Sequence, residues 1–183
     1  MRIVAGTARG RRLVAPNVST TRPTNDRVRE AIFNALFSID DIVTDASVLD
    51  LYAGTGALGL EALSRGAAQV TFVERDPRAL AALTANIAGT GVDEHAVTVA
   101  RTTAERWLDT RSEHTSFDLA FLDPPYEFDD WPTLIDRVPA GMAVIETNRD
   151  LVALVEASRC WEVIRHRRYG GTVVIMVRRY AST

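Results

Sequence analysis

The tetrapeptide Asp123-Pro124-Pro125-Tyr126 concentrates more chemistry than any other stretch of the chain. At average residue usage its chance occurrence in a chain this long is on the order of 10⁻³. It follows an apolar run and so falls at the end of a strand, where open α/β sheets place their ligands. Two consecutive prolines carry no N–H and hold the backbone rigid, so carbonyl oxygens can be presented to a ligand. A carboxylate from Asp123 and a prolyl carbonyl can together accept both hydrogens of a planar exocyclic amine. Such a nitrogen is a poor nucleophile, because its lone pair is delocalised into the ring. Holding both N–H groups favours a pyramidal nitrogen and stabilises the positive charge that develops as it attacks an electrophile. Tyr126 adds a face on which a base can stack. The modest alternative is a proline-stiffened strand end with a buried tyrosine.

A second constellation precedes it. LDLYAGTGALGLEALSRGA (49–67) places Gly54, Gly56 and Gly59 in the G-x-G-x-x-G pattern, between a strand and a helix, and Glu74 lies 20 residues beyond Gly54. That spacing suits a nucleotide-type ligand whose ribose hydroxyls are held by the acid. The pattern by itself describes nicotinamide enzymes and methyltransferases equally. Charge separates them. A dinucleotide brings pyrophosphate to the helix N-terminus, where an acidic neighbour is repulsive. Asp50, four residues before Gly54, suits instead a cationic ligand such as S-adenosyl-L-methionine, with its amino group and sulfonium. The plainer possibility is a tight turn with Asp50 as a cap.

These residues need elements to hold them, and the chain supplies an alternation. Runs rich in β-branched residues (47–52, 69–74, 96–100, 117–123 and 141–147) alternate with helix-like segments, among them 57–65, the alanine-rich 77–88 and 103–111. Pro77 suits the first turn of its helix. Continuous apolar strands between helices predict a parallel sheet covered on both faces. The chain then changes character. Residues 160–167 and 172–179 read as two strands joined around Tyr169-Gly170-Gly171, an antiparallel hairpin. An earlier helix is predicted after Asp26, from the spacing of Val28, Ile32, Ala35 and Leu36. Before it, Pro16 and Pro23 break any helix, so residues 1–30 read as a basic arm and 31–183 as the catalytic domain.

The chain has 183 residues, 46% hydrophobic and 25% charged, an ordinary composition for one globular domain. Disorder, collagen and coiled coil are excluded on that ground. No apolar run reaches the ~20 residues of a membrane helix, and the opening lacks the apolar stretch of a signal peptide, so a cytoplasmic protein with no membrane contact is expected. The single Cys160 excludes a disulfide framework, and His95, His114 and His166 have no metal-ligand spacing, so no metal is expected. The net charge of −3 is unevenly spread. Residues 1–30 hold seven Arg against Asp26 and Glu30, giving +5, and residues 159–183 hold six Arg against Glu162, again +5. The stretch between has eight Arg and 21 acids, giving −13. Basic ends on an acidic body suggest a polyanion docking at one face.

The glycine loop, VERD (73–76) and DPPY together resemble the class I seven-stranded methyltransferases that modify exocyclic amines. RGRRLVAP (9–16) followed by RPTNDRVREAIFNAL (22–36) narrows the likeness to the RsmD family, bacterial 16S rRNA guanine-N2 methyltransferases acting on guanine 966, and the likeness spans the whole chain. It implies a Rossmann-like, mostly parallel seven-stranded sheet with an antiparallel C-terminal hairpin strand and a short basic N-terminal arm. It also implies S-adenosyl-L-methionine as cofactor, and 16S rRNA, within a 30S subunit or an assembly intermediate, as the partner of a monomer. On this likeness Asp50, Tyr52, Gly54 and Gly56 surround the methionine end of the cofactor, Glu74 holds the ribose and Arg75 lies near the adenine. The stretch 101–108 edges the adenine pocket. Asp123, Pro124, Pro125 and Tyr126 hold the target guanine. Arg9, Arg11, Arg12, Arg22, Arg27 and Arg29 face RNA, although Arg27 and Arg29 could equally be solvated helix charges or partners of acids in the body. Two rivals use the same apparatus, methylation of adenine N6 in DNA and of a glutamine amide in protein; NPPY is the commoner form there, and Asp123 leans towards guanine. A non-catalytic RNA-binding assembly factor is the rival of another class, against which the intact Asp50, Glu74 and DPPY stand.

Overall fold

The computed structural model describes residues 1–15, 26–39 and 41–180. Seven strands form one sheet in the order β3-β2-β1-β4-β5-β7-β6. The strands are β1 (Ser47–Asp50), β2 (Gln69–Glu74), β3 (Val97–Arg101), β4 (Phe117–Leu122), β5 (Ala140–Thr147), β6 (Trp161–Tyr169) and β7 (Thr172–Arg179). The first five are parallel, and β7 runs antiparallel between β5 and β6. The predicted sheet and its terminal hairpin are therefore both present. The chain order reverses between β1 and β4, so the carboxyl ends of those strands open a crevice of the kind ligands occupy.

Among the described residues six α-helices cover the sheet: α1 (Asp26–Ser38), α2 (Ala57–Ser64), α3 (Pro77–Thr90), α4 (Ala104–Thr110), α5 (Trp131–Arg137) and α6 (Val152–Ala157). One core layer joins α1, α2 and α3 to Val48, Phe72, Phe121 and Val144. The other joins α4, α5 and α6 to Leu49, Val73, Leu122 and Ile145. Consecutive strand residues thus feed opposite layers, which is why β1 and β4 read as unbroken apolar runs. The helix ends follow local chemistry. Asp76 caps α3, accepting from the N–H groups of Arg78 (2.8 Å) and Ala79 (3.0 Å), Pro77 fills the first turn, and Gly91 ends the helix at φ 70°. Thr103 caps α4 through the N–H of Arg106.

Of residues 1–30, expected as a basic arm, the structure describes 1–15 and 26–30. Residues 1–13 fold into a small antiparallel turn, bridged at Arg2 and Arg12, and Ile3, Ala8 and Leu13 are buried in the α2-side core. This strap lies along α2. Glu61 on that helix accepts the N–H groups of Val4 (2.7 Å) and Ala5 (3.0 Å), and Ser64 binds Ala5, Thr7 and Ala8. At Gly6 the contact is so close that a Cβ would lie 1.7 Å from the Ser64 carbonyl oxygen, and φ is 82°. Only glycine fits there. The boundary drawn at residue 30 falls inside α1.

Candidate active site

β1 delivers Asp50 to the crevice, and the chain then turns through Gly54 (φ 54°) and Gly56 (φ 79°) into α2. Gly59 brings that helix onto β2, where a Cβ would meet the Phe72 ring at 2.3 Å. The third glycine of the pattern therefore serves helix–sheet packing. Asp50 lies beneath the loop, 2% exposed, and its carboxylate accepts the Gly59 N–H at 3.0 Å. Burial pushes its pKa up to about 7, the Gly59 bond opposes that rise, and the Glu74 charge adds to it. Glu74, at the end of β2, ties the loop down: it accepts the N–H of Gly54 (2.8 Å) with one oxygen and those of Arg75 and Asp76 (both 2.7 Å) with the other. The two carboxylates give the floor of the crevice negative potential, and one N–H of the α2 N-terminus is already engaged. Both features disfavour a pyrophosphate and suit a cation.

A cleft of about 860 Å³ runs from this loop to the DPPY segment and is lined by Asp50, Tyr52, Gly54, Glu74, Arg75 and all of Asp123–Tyr126. Asp50 and Asp123, 73 positions apart in sequence, thus share one cavity because β1 and β4 are neighbours, with Asp50 beside Phe121 in the register. Pro124 is buried, Asp123 and Tyr126 are half-buried, and Pro125 is exposed. The Pro125 carbonyl accepts the Phe128 N–H at 2.8 Å, which closes the turn after the motif. Phe128 stacks edge-on against Trp131, with centroids 5.2 Å apart, and approaches Tyr52 at 6.0 Å. Burial and the neighbouring Glu105 push the Tyr52 phenol above its ordinary range. Thr102, Thr103 and Glu105 form a further wall, where the 101–108 stretch was expected.

The predicted RNA-facing arginines divide. Arg29 is 0% exposed and forms ion pairs with Asp26 (2.9 Å) and Glu61 (3.4 Å), with a further bond to the Arg2 carbonyl. A buried charge is tolerated when it is paired in this way, so Arg29 is a partner of acids in the body and does not face solvent. Arg27, two positions earlier on α1, is exposed. Arg9, Arg11 and Arg12 are exposed on the strap. Met1 and Ala15 line the cleft, whereas the turn of the strap at Gly6–Arg9 packs on Ser64, the far end of α2. An eight-residue helix is about 12 Å long, so Arg9 stands at the opposite edge of the sheet from the DPPY segment. Arg22 lies outside the described residues.

Glu146 and Phe128 line the cleft and were not singled out from the sequence. Glu146 had a legible signal: like Asp50 and Glu74, it is an acid near the end of an apolar parallel strand. Phe128 had none, since its role depends on Tyr52 and Trp131 across the cleft.

The sequence of residues 1–178 matches the family described as conserved hypothetical protein 95. The ribosomal RNA small subunit methyltransferase D of Haemophilus influenzae is 32% identical over 177 residues, covering 93% of this chain and 89% of that protein. YlbH of Bacillus subtilis, provisionally named an rRNA methyltransferase, is 37% identical over 187 residues, covering 98% of this chain and 99% of that protein. The solved structure of yhhF from Escherichia coli, provisionally named a methyltransferase, superposes with a TM-score of 0.83 at 32% identity and covers 100% of this chain and 99% of that one. With the fold, the cleft and the full-length matches in agreement, the chain belongs to the conserved hypothetical protein 95 family, the RsmD family of ribosomal RNA small subunit methyltransferases.

Proposed function

We propose that the protein is an rRNA methyltransferase that moves a methyl group from S-adenosylmethionine to the exocyclic N2 of a guanine in 16S rRNA of the small ribosomal subunit. The observation that carries this reading is the single cleft in which Asp50 and Glu74 lie at one end and Asp123–Tyr126 at the other. The residues present fit the cofactor: the buried Asp50 carboxylate for a cation, the half-buried Glu74 at the end of β2 for the ribose, and a wall of Tyr52 and Thr103 for the adenosine. When bound, adenosylmethionine supplies an electrophilic methyl group. Asp50 holds the positive end of the ligand and Glu74 its ribose hydroxyls, while the backbone bonds of both carboxylates keep them from turning away. Asp123 accepts one N–H of the target amine. The second falls to the Pro124 carbonyl, because the Pro125 carbonyl already takes the Phe128 N–H. Tyr126 stacks on the base, the fixed acceptors stabilise charge as it develops on nitrogen, and the Asp123 carboxylate takes the proton that the methylated nitrogen releases.

The strap leaves the carboxyl edge of the sheet as the approach for RNA. Glu146, Val174 and Arg167 form one row across β5, β7 and β6, and the β4–β5 register carried one residue past Leu122 puts Asp123 at its head. Three strand spacings put Arg167 about 14 Å from the methyl-accepting site, within reach of phosphates flanking a flipped base. Arg168 is its exposed neighbour.

Labelled methyl transfer to small subunits from a strain lacking the enzyme, followed by nucleoside analysis, tests the reading. Label is expected in N2-methylguanosine. Label in N6-methyladenosine, in protein alone, or nowhere would overturn it.

A further inference from the structure

Glu146 is 94% buried yet lines the cleft, and no step described so far uses it. Its position follows from the register. β4 and β5 are parallel neighbours with Phe121 beside Val144 and Leu122 beside Ile145, and carrying that register one residue past the end of β4 sets Asp123 beside Glu146. Adjacent strands are about 4.8 Å apart, so two carboxylates stand side by side at the mouth of the DPPY segment. Phe121 and Val144 share the α1-side core layer, and the residues two further along return to that same side.

A base taken out of its stack is read along its Watson–Crick edge. Guanine is the base whose edge places two donors together, N1–H and N2–H. Adenine sets an N1 lone pair beside its amine, which a carboxylate repels. Resting on the guanine reading above, we propose that Glu146 accepts the N1–H of the target guanine while Asp123 accepts from its N2 amine, so that Glu146 determines base specificity. Two adjacent acceptors then meet two adjacent donors. Substituting the isosteric glutamine exchanges one acceptor oxygen for an N–H₂ donor and removes the charge, so either N1–H or a bare N1 can be accommodated.

The test uses small subunits reconstituted with guanine or 2-aminopurine at the methylated position. 2-Aminopurine keeps the 2-amine and has an unprotonated N1. Wild-type protein should prefer guanine by about 10²-fold or more, since a site built to bond a hydrogen rejects the analogue lacking it. Glu146→Gln should reduce that preference at least about tenfold with adenosylmethionine affinity unchanged, and Glu146→Asp, which keeps the acceptor, should retain the preference at a lower rate. A folded Glu146→Gln protein with the wild-type preference would overturn the role of Glu146 while leaving the guanine reading intact, as would loss of the preference in Glu146→Asp alone. Wild-type protein that leaves guanine unlabelled would overturn both.

Discussion

Replacing Glu61 with alanine should loosen the N-terminal strap and lower the melting temperature steeply. Glu61 is 0% exposed and serves four donors: the N–H groups of Val4 and Ala5, Arg65 at 2.8 Å and Arg29 at 3.4 Å. Its loss removes one ion-pair partner from the wholly buried Arg29 guanidinium, whose bonds to Asp26 and the Arg2 carbonyl stay in place. Breaking one side of a buried ion pair costs about 3–5 kcal/mol. Each amide hydrogen left without an acceptor adds about 1–3 kcal/mol where water stays out, but a strap that lifts lets water in and recovers part of that. A net loss of about 4–6 kcal/mol follows. At roughly 2–4 °C per kcal/mol for a domain of this size, the melting temperature should fall by about 8–24 °C, and Glu61→Gln, which keeps an acceptor and loses the charge, should fall in between. Calorimetry gives the shift. Limited trypsin digestion gives the location, since Arg9, Arg11 and Arg12 are exposed and become cleavable once the strap frees its backbone. A shift below about 3 °C in a folded Glu61→Ala protein would refute the strap and restore an arm available for RNA.

Asp50 offers a pH test. Its folded-state pKa is raised from 3.8 to about 7, so the folded protein binds that proton more tightly than the unfolded chain does. The stability this contributes is full below the unfolded value and is lost as pH rises through about 7. Asp50→Asn should therefore flatten the fall in melting temperature between the two values in the ligand-free protein, and should weaken adenosylmethionine about tenfold or more above pH 7, where the anion meets the cation; parallel pH curves for the two proteins would sink the assignment. Replacing Arg167 and Arg168 together with alanine should weaken binding to the small subunit and reduce the slope of log affinity against log salt by about 1–2, leaving adenosylmethionine binding intact. An unchanged slope in filter binding across a salt series would remove β6 from the docking surface.

The parts of this protein legible in its sequence are those set by near neighbours in the chain. Strands and helices alternate because the apolar periods do, and the hairpin follows from a glycine turn between two β-branched runs. The glycine loop and DPPY have local signatures, because a rigid carbonyl next to a carboxylate, or a left-handed turn into a helix, needs only consecutive residues. Arg27 and Arg29 mark the limit. Both are arginines on α1 in a basic stretch, and only the packing of α1 against Glu61 of α2 makes one a surface charge and the other a buried ion. Net charge by segment has the same limit: a local sum of +5 does not show that Arg29 is paired with Glu61, 32 positions away. The pairing of Glu146 with Asp123 likewise depends on the β4–β5 register. Two acids 23 residues apart in the sequence become neighbours only when backbone hydrogen bonds align their strands, and that alignment is a property of the sheet as a whole.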